Sequence, residues 1–315
     1  GGGMRSQAGI GVSGTGGGAG GFRTGSGLQV TAGTDLTINV GAGGTGGTAP
    51  SGGDAATNGD GSFIQGEGGS FHIGTNGGGA GNLNPSTTGV SGGSGGGVTG
   101  TSFPTNKLGK SLTLTDANGH SQSFVIQSND RQGGDGSIGV TDAAYYTLGG
   151  AGGGAGGASV PHADPGTTGN AQNAVAATYG ANGGGSAASS ITGSTKYYAG
   201  GGGGGGVNRY GGPAKYYPGG IGGGVSAREF RGGGGNGGFQ IVGESSPYGN
   251  SPPSFRSSDM VGESANVNTG GGGGGGALTL TPGQTDYDGG AGGSGVVILK
   301  LPALDRVIYT FNASQ

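Results

Sequence analysis

The chain has 315 residues, of which 94 are Gly, 12 are Pro and none is Cys, and its formal net charge is −3. The lack of Cys excludes a disulfide framework, a thiolate zinc site and a cysteine nucleophile. The small net charge argues against a general nucleic-acid-binding protein with a broad basic face. No run of the sequence approaches the roughly 18 consecutive apolar residues of a membrane span. We therefore expect neither a nucleic-acid partner nor a membrane span.

Glycine is concentrated in tracts, which include residues 149–157, 200–206, 232–238 and 270–276. Such tracts have no side chains to bury, so only their backbone hydrogen bonds could hold them in place. Polyglycine-II geometry has three residues per turn and points N–H and C=O groups outward, where neighbouring tracts can bond to them. The alternative interpretation of the tracts is a flexible linker. Collagen is excluded, because residues 186–191 and 200–206 break its three-residue glycine period.

These tracts predict an irregular or all-β fold with essentially no α-helix. We expect a polyglycine-II helix sandwich or lattice with a small β-strand base, on whose edges the segments between the tracts are displayed as loops. The whole chain, residues 1–315, is predicted to form a single glycine-rich structural domain. No segment has a convincing helical period.

Several segments between the tracts alternate in the way that is typical of strands. Residues 28–40 show two alternating runs around a turn at Ala32-Gly33, which predicts a hairpin. Residues 111–115 and 123–127 flank Asn118-Gly119 and predict a second hairpin, within an insertion that covers residues 103–131. Residues 277–280 and 295–301 are expected to form a closing strand pair. Residues 296–311 would supply the C-terminal closing strands, the last from Arg306 to Phe311.

Two segments near the ends of the chain carry a resemblance to a known group. Residues 30–44 are VTAGTDLTINVGAGG, and residues 289–300 are GGAGGSGVVILK. They resemble the opening and closing motifs of glycine-rich domains in bacteriophage and other viral tail or fibre proteins. The resemblance covers residues 14–301, and a related architecture occurs in distal tail-fibre adhesins, where a polyglycine-II sandwich presents loops that bind host receptors.

This resemblance implies a non-enzymatic virion structural protein, a tail-fibre or surface-fibre component located at the virion surface or tail, or otherwise extracellular. The implied partners are a host surface polysaccharide or outer-membrane receptor and other virion or fibre subunits, with a possible homo-oligomer. The tracts are shorter than expected, and the insertion at residues 103–131 departs from the group, so the number and alignment of glycine helices stay open.

Aromatic and basic residues gather between Lys196 and Arg256, a stretch with six of the 13 basic residues of the chain. Aromatic rings stack on sugar faces, and Arg or Lys binds phosphate or carboxylate, so the mixture suits an acidic or phosphorylated surface glycan. The alternative interpretation is that these rings pack on each other and cap the glycine layer. The candidate receptor-binding residues are Tyr197, Tyr198, Arg209, Tyr210, Lys215, Tyr216, Tyr217, Arg228, Phe230, Arg231, Tyr248, Phe255 and Arg256.

No catalytic group is identifiable, so we expect no enzyme, no catalytic residue, no cofactor and no metal site. The GxGxxG matches lack the strand, helix and acidic partner of a dinucleotide site, and no P-loop is present. No Ser lies in a nucleophile elbow beside a base. The three His residues are isolated, and the pairs Asp54/Asp60 and Asp286/Asp288 match neither an EF-hand nor a calcium repeat.

Two other functions stay open at this point. A self-assembling extracellular filament or matrix protein could join subunits through strand edges or glycine layers. An ice-binding protein would need a repeated face of small residues, and the irregular bulky segments argue against it.

Overall fold

The computed structural model describes residues 1–7, 11–28, 30–50, 53–83, 90–98, 125–126, 136, 141–142, 146–156, 180–209, 215–217, 222–223, 233–238, 260–280 and 285–301. Within these ranges there is no α-helix, and a 3₁₀ turn lies at Glu67–Gly69. The strands are β1 (Gly25–Ser26), β2 (Leu36–Asn39), β3 (Ser62–Gly66), β4 (His72–Thr75), β5 (Val125–Ile126), β6 (Thr141–Asp142), β7 (Tyr146–Thr147), β8 (Ala187–Ser189), β9 (Lys196–Tyr198), β10 (Val207–Arg209), β11 (Lys215–Tyr217), β12 (Leu278–Leu280) and β13 (Thr285–Asp286). The prediction of an all-β or irregular fold without α-helix is confirmed for this part of the chain.

The strands are distributed over several small sheets instead of forming one base. Three antiparallel pairs are β1 with β5, β6 with β7 and β8 with β9. A three-stranded antiparallel sheet has the order β2-β3-β4. A four-stranded sheet has the order β11-β10-β12-β13, in which β10 and β12 are parallel and the other pairs antiparallel.

The hairpin predicted for residues 28–40 is wrong in its pairing. The turn at Ala32-Gly33 is present, with the Thr34 N–H donating to the Thr31 C=O at 3.3 Å. The second run forms β2, but β2 pairs with β3, whose Ile64 lies opposite Ile38. Alternation indicates that a strand exists, but it does not identify the partner strand. Here β2 pairs with β3, which is more distant in sequence than the first run of the predicted hairpin.

Two further strand predictions have mixed outcomes. Leu278–Leu280 is a strand as predicted, but its partners are β10 and β13. Residues 296–301 are not assigned to a strand, and they cannot pair with β12 as expected because β12 is already paired on both edges. Residues 306–311 lie outside the described residues, as does the insertion at 103–131 apart from Val125–Ile126, which pairs with β1.

The interior is built from extended glycine segments joined by backbone hydrogen bonds, which we call the glycine layer. Its members include residues 1–4, 14–21, 41–47, 57–60, 77–82, 93–97, 149–153, 181–184, 200–206, 233–238, 260–266, 270–278 and 289–295. The residue ranges 12–19, 199–207 and 271–279 are buried throughout. Such a layer places mostly backbone, and few side chains, at the centre of the molecule.

Residues 200–206 show how the layer is bonded. The acceptors of the N–H groups, in order from Gly201 to Gly206, are the carbonyls of Gly184, Gly17, Gly235, Ala181, Gly14 and Gly238, at 2.8–3.1 Å. Three successive N–H groups therefore point to three different neighbouring segments, and the fourth points to the first of these segments again. The carbonyl groups face three more segments, since Gly203 accepts from Gly275, Gly202 from Gly152 and Gly201 from Gly223.

The segment at residues 270–278 repeats this rotation. The acceptors of the N–H groups, in order from Gly272 to Leu278, are the carbonyls of Gly200, Gly1, Glu263, Gly203, Met4, Met260 and Gly206, at 2.8–3.1 Å. Every third amide thus reaches the same neighbour. Both segments have six bonded neighbours, which leaves few backbone groups unpaired in the interior.

Close approach of the backbones explains why glycine is required. A Cβ atom built on Gly202 would lie 2.0 Å from the Gly273 carbonyl oxygen, and one on Gly273 would lie 2.0 Å from the Gly290 oxygen. These separations are far below van der Waals contact, so neighbouring backbones would have to move apart. A Cβ on Gly20, at one end of its segment, would meet nothing nearer than 3.7 Å.

Among the described residues, apolar side chains form a small cluster and a buried strand contact. Met4, Val12 and Leu83 pack together with Ala56 against them. Val207 and Leu278 are both fully buried and occupy paired positions of β10 and β12. Side-chain burial therefore reinforces the ends of glycine segments and does not form the centre of the molecule.

Candidate binding surfaces

The glycine layer has two ends, because its segments run side by side. The carbonyls of residues 200, 203 and 206 accept the N–H groups of residues 272, 275 and 278, in that order. The two segments therefore run side by side through the layer in the same direction. Their first residues, Ala199 and Gly270, line one large cleft. We call that side the cleft end, and we call the side where Val207 and Leu278 begin β10 and β12 the far end.

The cleft has a volume of about 1020 Å³. Its floor is formed by the ends of glycine segments, including Gly1, Gly20, Gly77, Gly270 and Gly293. Its walls come from segments with ordinary side chains, and the apolar members are Phe22, Leu28, Val30, Leu36, Phe63, Ile64, Ile73, Ile191, Tyr198, Val296, Val297, Ile298, Leu299 and Leu301. The arrangement offers a broad apolar surface bounded by extended chain.

The β2-β3-β4 sheet supplies one wall of this cleft. The β3 sequence Ser-Phe-Ile-Gln-Gly alternates, so Ile64 is buried while its neighbours Phe63 and Gln65 are partly exposed. Phe63 lies against His72 of β4, with ring centroids 5.2 Å apart. This ring contact places His72 in a sheet wall, where it has a packing role.

The β8–β9 hairpin supplies another wall and includes the first two candidate residues. Tyr197 and Tyr198 are both partly buried. The ring of Tyr198 stacks on Phe22 with centroids 6.3 Å apart and an interplanar angle of 25°. Tyr198 therefore packs at the cleft end, as the capping interpretation expects for this residue.

A second group of candidates lies at the far end. Arg209 ends β10 and is directly opposite Lys215 of β11 in the antiparallel register, and Tyr216 and Tyr217 follow in β11. Like charges at opposed positions of an antiparallel pair destabilise it. The backbone register thus brings two basic positions of the sequence together at the far end.

The glycine segment at residues 200–206 separates these two groups. Lys196–Tyr198 and Lys215–Tyr217 thus lie on opposite sides of the layer, although they are close in sequence. The remaining candidates lie outside the described residues, and they are Tyr210, Arg228, Phe230, Arg231, Tyr248, Phe255 and Arg256. Phe22 and Phe63 were not predicted as site residues. The signal in the sequence is weak, because Phe22 is an aromatic residue next to a glycine segment and Phe63 is one within an alternating run.

Polar groups at the far end are used to hold the chain together. The Tyr287 N–H donates to Ser6 Oγ at 2.8 Å, and Ser6 is completely buried. Arg5 is 7% exposed and donates from Nη1 to the Asp54 carbonyl at 3.4 Å. Asp288 Oδ1 accepts the Ala49 N–H at 2.5 Å, so this carboxylate fixes a neighbouring turn.

The amino group of Gly1 lies inside the layer, where it donates to the Gly18 carbonyl at 2.8 Å. Burial lowers the pKa of this group from 8.0 to about 5, because the charged form is poorly solvated there.

The described residues contain no group of three or more His, Asp or Glu side chains arranged to hold a metal ion. They also contain no helix that is long and apolar enough to cross a membrane. Comparison of the chain with protein-family models, curated proteins and solved structures finds no match.

Proposed function

We propose that this chain is a non-enzymatic structural protein of a virion, a tail-fibre or surface-fibre component whose glycine segments form a lattice of polyglycine-II helices. The observation that carries the proposal is the return of the amide direction after three residues in segments 200–206 and 270–278. A helix with three residues per turn produces that rotation. The Cβ positions that would overlap neighbouring carbonyls support the same geometry, since only glycine permits the approach.

The function of such a lattice is to display the segments between its helices. The proposed receptor is an acidic glycan on a host surface, and its proposed binding site is the far-end hairpin of β10 and β11. Arg209 and Lys215 occupy opposed positions there, next to Tyr216 and Tyr217. Cationic groups would bind carboxylate or phosphate groups, and aromatic rings would stack on sugar faces.

A binding experiment with matched variants tests this proposal. The purified chain is titrated with host cells and with their isolated acidic polysaccharide, at low and high salt. We expect the double variant Tyr216→Ala, Tyr217→Ala and the variant Lys215→Ala each to weaken binding at least about tenfold, and added salt to weaken binding of the original chain.

The matched control is Tyr197→Ala, which removes an aromatic residue from the cleft end. It should leave binding unchanged. Equal losses for the cleft-end and far-end variants, or unchanged binding after Tyr216→Ala, Tyr217→Ala, would contradict the assignment of the receptor site to the far end. Circular dichroism of every variant shows whether the fold is retained.

A further inference from the structure

The cleft end contains a chain segment with a strong strand sequence but no strand partner among the residues that the structure describes. Residues 296–301 are Val-Val-Ile-Leu-Lys-Leu, in which β-branched residues favour a strand. The last bond before this segment is from the Gly295 N–H to the Gly41 carbonyl at 2.9 Å. Beyond it, the structure gives no hydrogen bond between the main chain of residues 296–301 and any other described residue.

A second unpaired strand edge lies beside this segment. Strand β2 is at the edge of its sheet and pairs only with β3 among the described strands. Because Gly41 follows β2 closely, β2 and residues 296–301 leave the glycine layer next to each other. Exposed edges of this kind readily pair with a strand of another molecule.

Apolar side chains are unusually exposed around these two edges. Among the described residues, eight large hydrophobic side chains are exposed, and six of them belong to this region. The six are Val30, Ile38, Val40, Val296, Leu299 and Leu301, which are 38–57% exposed in the 315-residue chain. Val30, Val296, Leu299 and Leu301 also line the cleft together. Exposed apolar residues gathered on one surface mark an interaction site.

We infer that the cleft end is a self-association surface, on which residues 296–301 of two copies of this chain pair as antiparallel strands. In this arrangement a twofold axis passes between Ile298 and Leu299. Residues 296–301 of each copy then pair with the same residues of the other copy. In that register Lys300 of one copy is opposite Val297 of the other, so no like charges face each other.

The charges of the region favour a second copy over a strongly charged partner. Lys300 and Asp60 both line the cleft, and Asp35 is exposed just before β2. A surface that carries both positive and negative groups can be complementary to a second copy of itself. A strongly acidic or basic partner would find no patch of opposite charge there. This inference does not depend on the proposed receptor site, which lies at the far end.

Measurement of molar mass by light scattering over a range of protein concentrations tests this inference. We expect the full chain to form a dimer, and Val296→Glu to raise the dissociation constant at least about tenfold, since the new carboxylate would be buried without a partner. Val261→Glu is the matched control, because Val261 is 39% exposed, Val296 is 38% exposed, and Val261 does not line the cleft. It should leave the dissociation constant within about twofold of the original value.

A second variant tests strand pairing itself. Leu299→Pro removes one main-chain N–H at a position with no intramolecular partner among the described residues, so the monomer should fold while the dimer weakens. Amide hydrogen exchange of residues 296–301 should slow in the dimer. Receptor binding by the far end should survive in the monomeric variants, which separates this inference from the proposed function.

Three results would overturn the inference. The first is a full chain that stays monomeric at all concentrations. The second is equal dimerisation of the original chain and Val296→Glu. The third is dimerisation only after the chain is shortened to residues 1–301, which would assign the apolar surface to contact with residues 302–315.

Discussion

The two ends of the glycine layer differ in how the chain completes them. At the far end, Val207 and Leu278 are fully buried in paired strands, and Ser6 caps a main-chain amide. At the cleft end, apolar side chains stay about half exposed and residues 296–301 have no strand partner among the described residues. Because the interior between the two ends is bonded in the same way throughout, the difference lies in the segments that emerge from it. The far-end strands bury their apolar side chains within the chain, whereas the cleft end leaves exposed the apolar side chains that we propose for self-association.

The largest expected effect comes from changing the interior that both ends share. Gly202→Ala should destabilise the protein by at least about 4 kcal/mol or prevent folding, because its Cβ would overlap the Gly273 carbonyl oxygen. Urea denaturation followed by circular dichroism measures the free energy of unfolding. Gly20→Ala is the control, since its Cβ would make only ordinary van der Waals contacts, the nearest at 3.7 Å, and it should change stability by less than about 1 kcal/mol. Similar stabilities for both variants would contradict the close-packed interior.

The second prediction compares a leucine from each end. Leu278→Ala at the far end should cost about 3 kcal/mol, because it leaves a cavity beside Val207. Leu301→Ala at the cleft end should cost less than about 1 kcal/mol in the monomer, because Leu301 is already 57% exposed. Thermal unfolding at low protein concentration distinguishes them. Equal losses would mean that the cleft end is closed as tightly as the far end.

The smallest expected effect concerns the polar caps. Ser6→Ala should cost about 1–3 kcal/mol, since it leaves the Tyr287 amide without its acceptor in a buried site. The matched change at the cleft end is Ser62→Ala, which removes the acceptor of the Gly41 amide at 2.9 Å. Ser62 is only partly buried, so water can replace its hydroxyl and the loss should be smaller. A larger loss for Ser62→Ala would reverse the comparison.

The sequence predicted the interior better than the surfaces. Glycine tracts such as residues 200–206 and 270–276 have no side chains to bury, so backbone bonding between them could be expected from composition alone. The strands β2 and β12 could likewise be expected from alternation. Their partners could not, because alternation specifies which face of a strand is buried and leaves the choice of neighbour to the rest of the fold.

The candidate site shows the same limitation. Lys196–Tyr198 and Lys215–Tyr217 are close in sequence, which suggested one cluster, yet the straight segment between them carries them to opposite ends. Conversely, Val30, Phe63 and Val296 are distant in sequence and share one cleft. An extended segment of glycine moves the chain through the layer, so short sequence separation does not imply spatial proximity in this protein.

Because the amide direction repeats every third residue, a glycine segment can be aligned with its neighbours in more than one register. In a strand with alternating side chains, a slip by one residue turns the buried face outward and is strongly disfavoured. A run of identical glycines has no such marker, so residues 200–206 could shift along the direction of their segment and rebuild equivalent hydrogen bonds. What fixes the alignment is the first residue with a side chain at each end, such as Ala199 and Val207, which are both buried. The segments that emerge from the layer therefore select one arrangement among many nearly equal ones during folding.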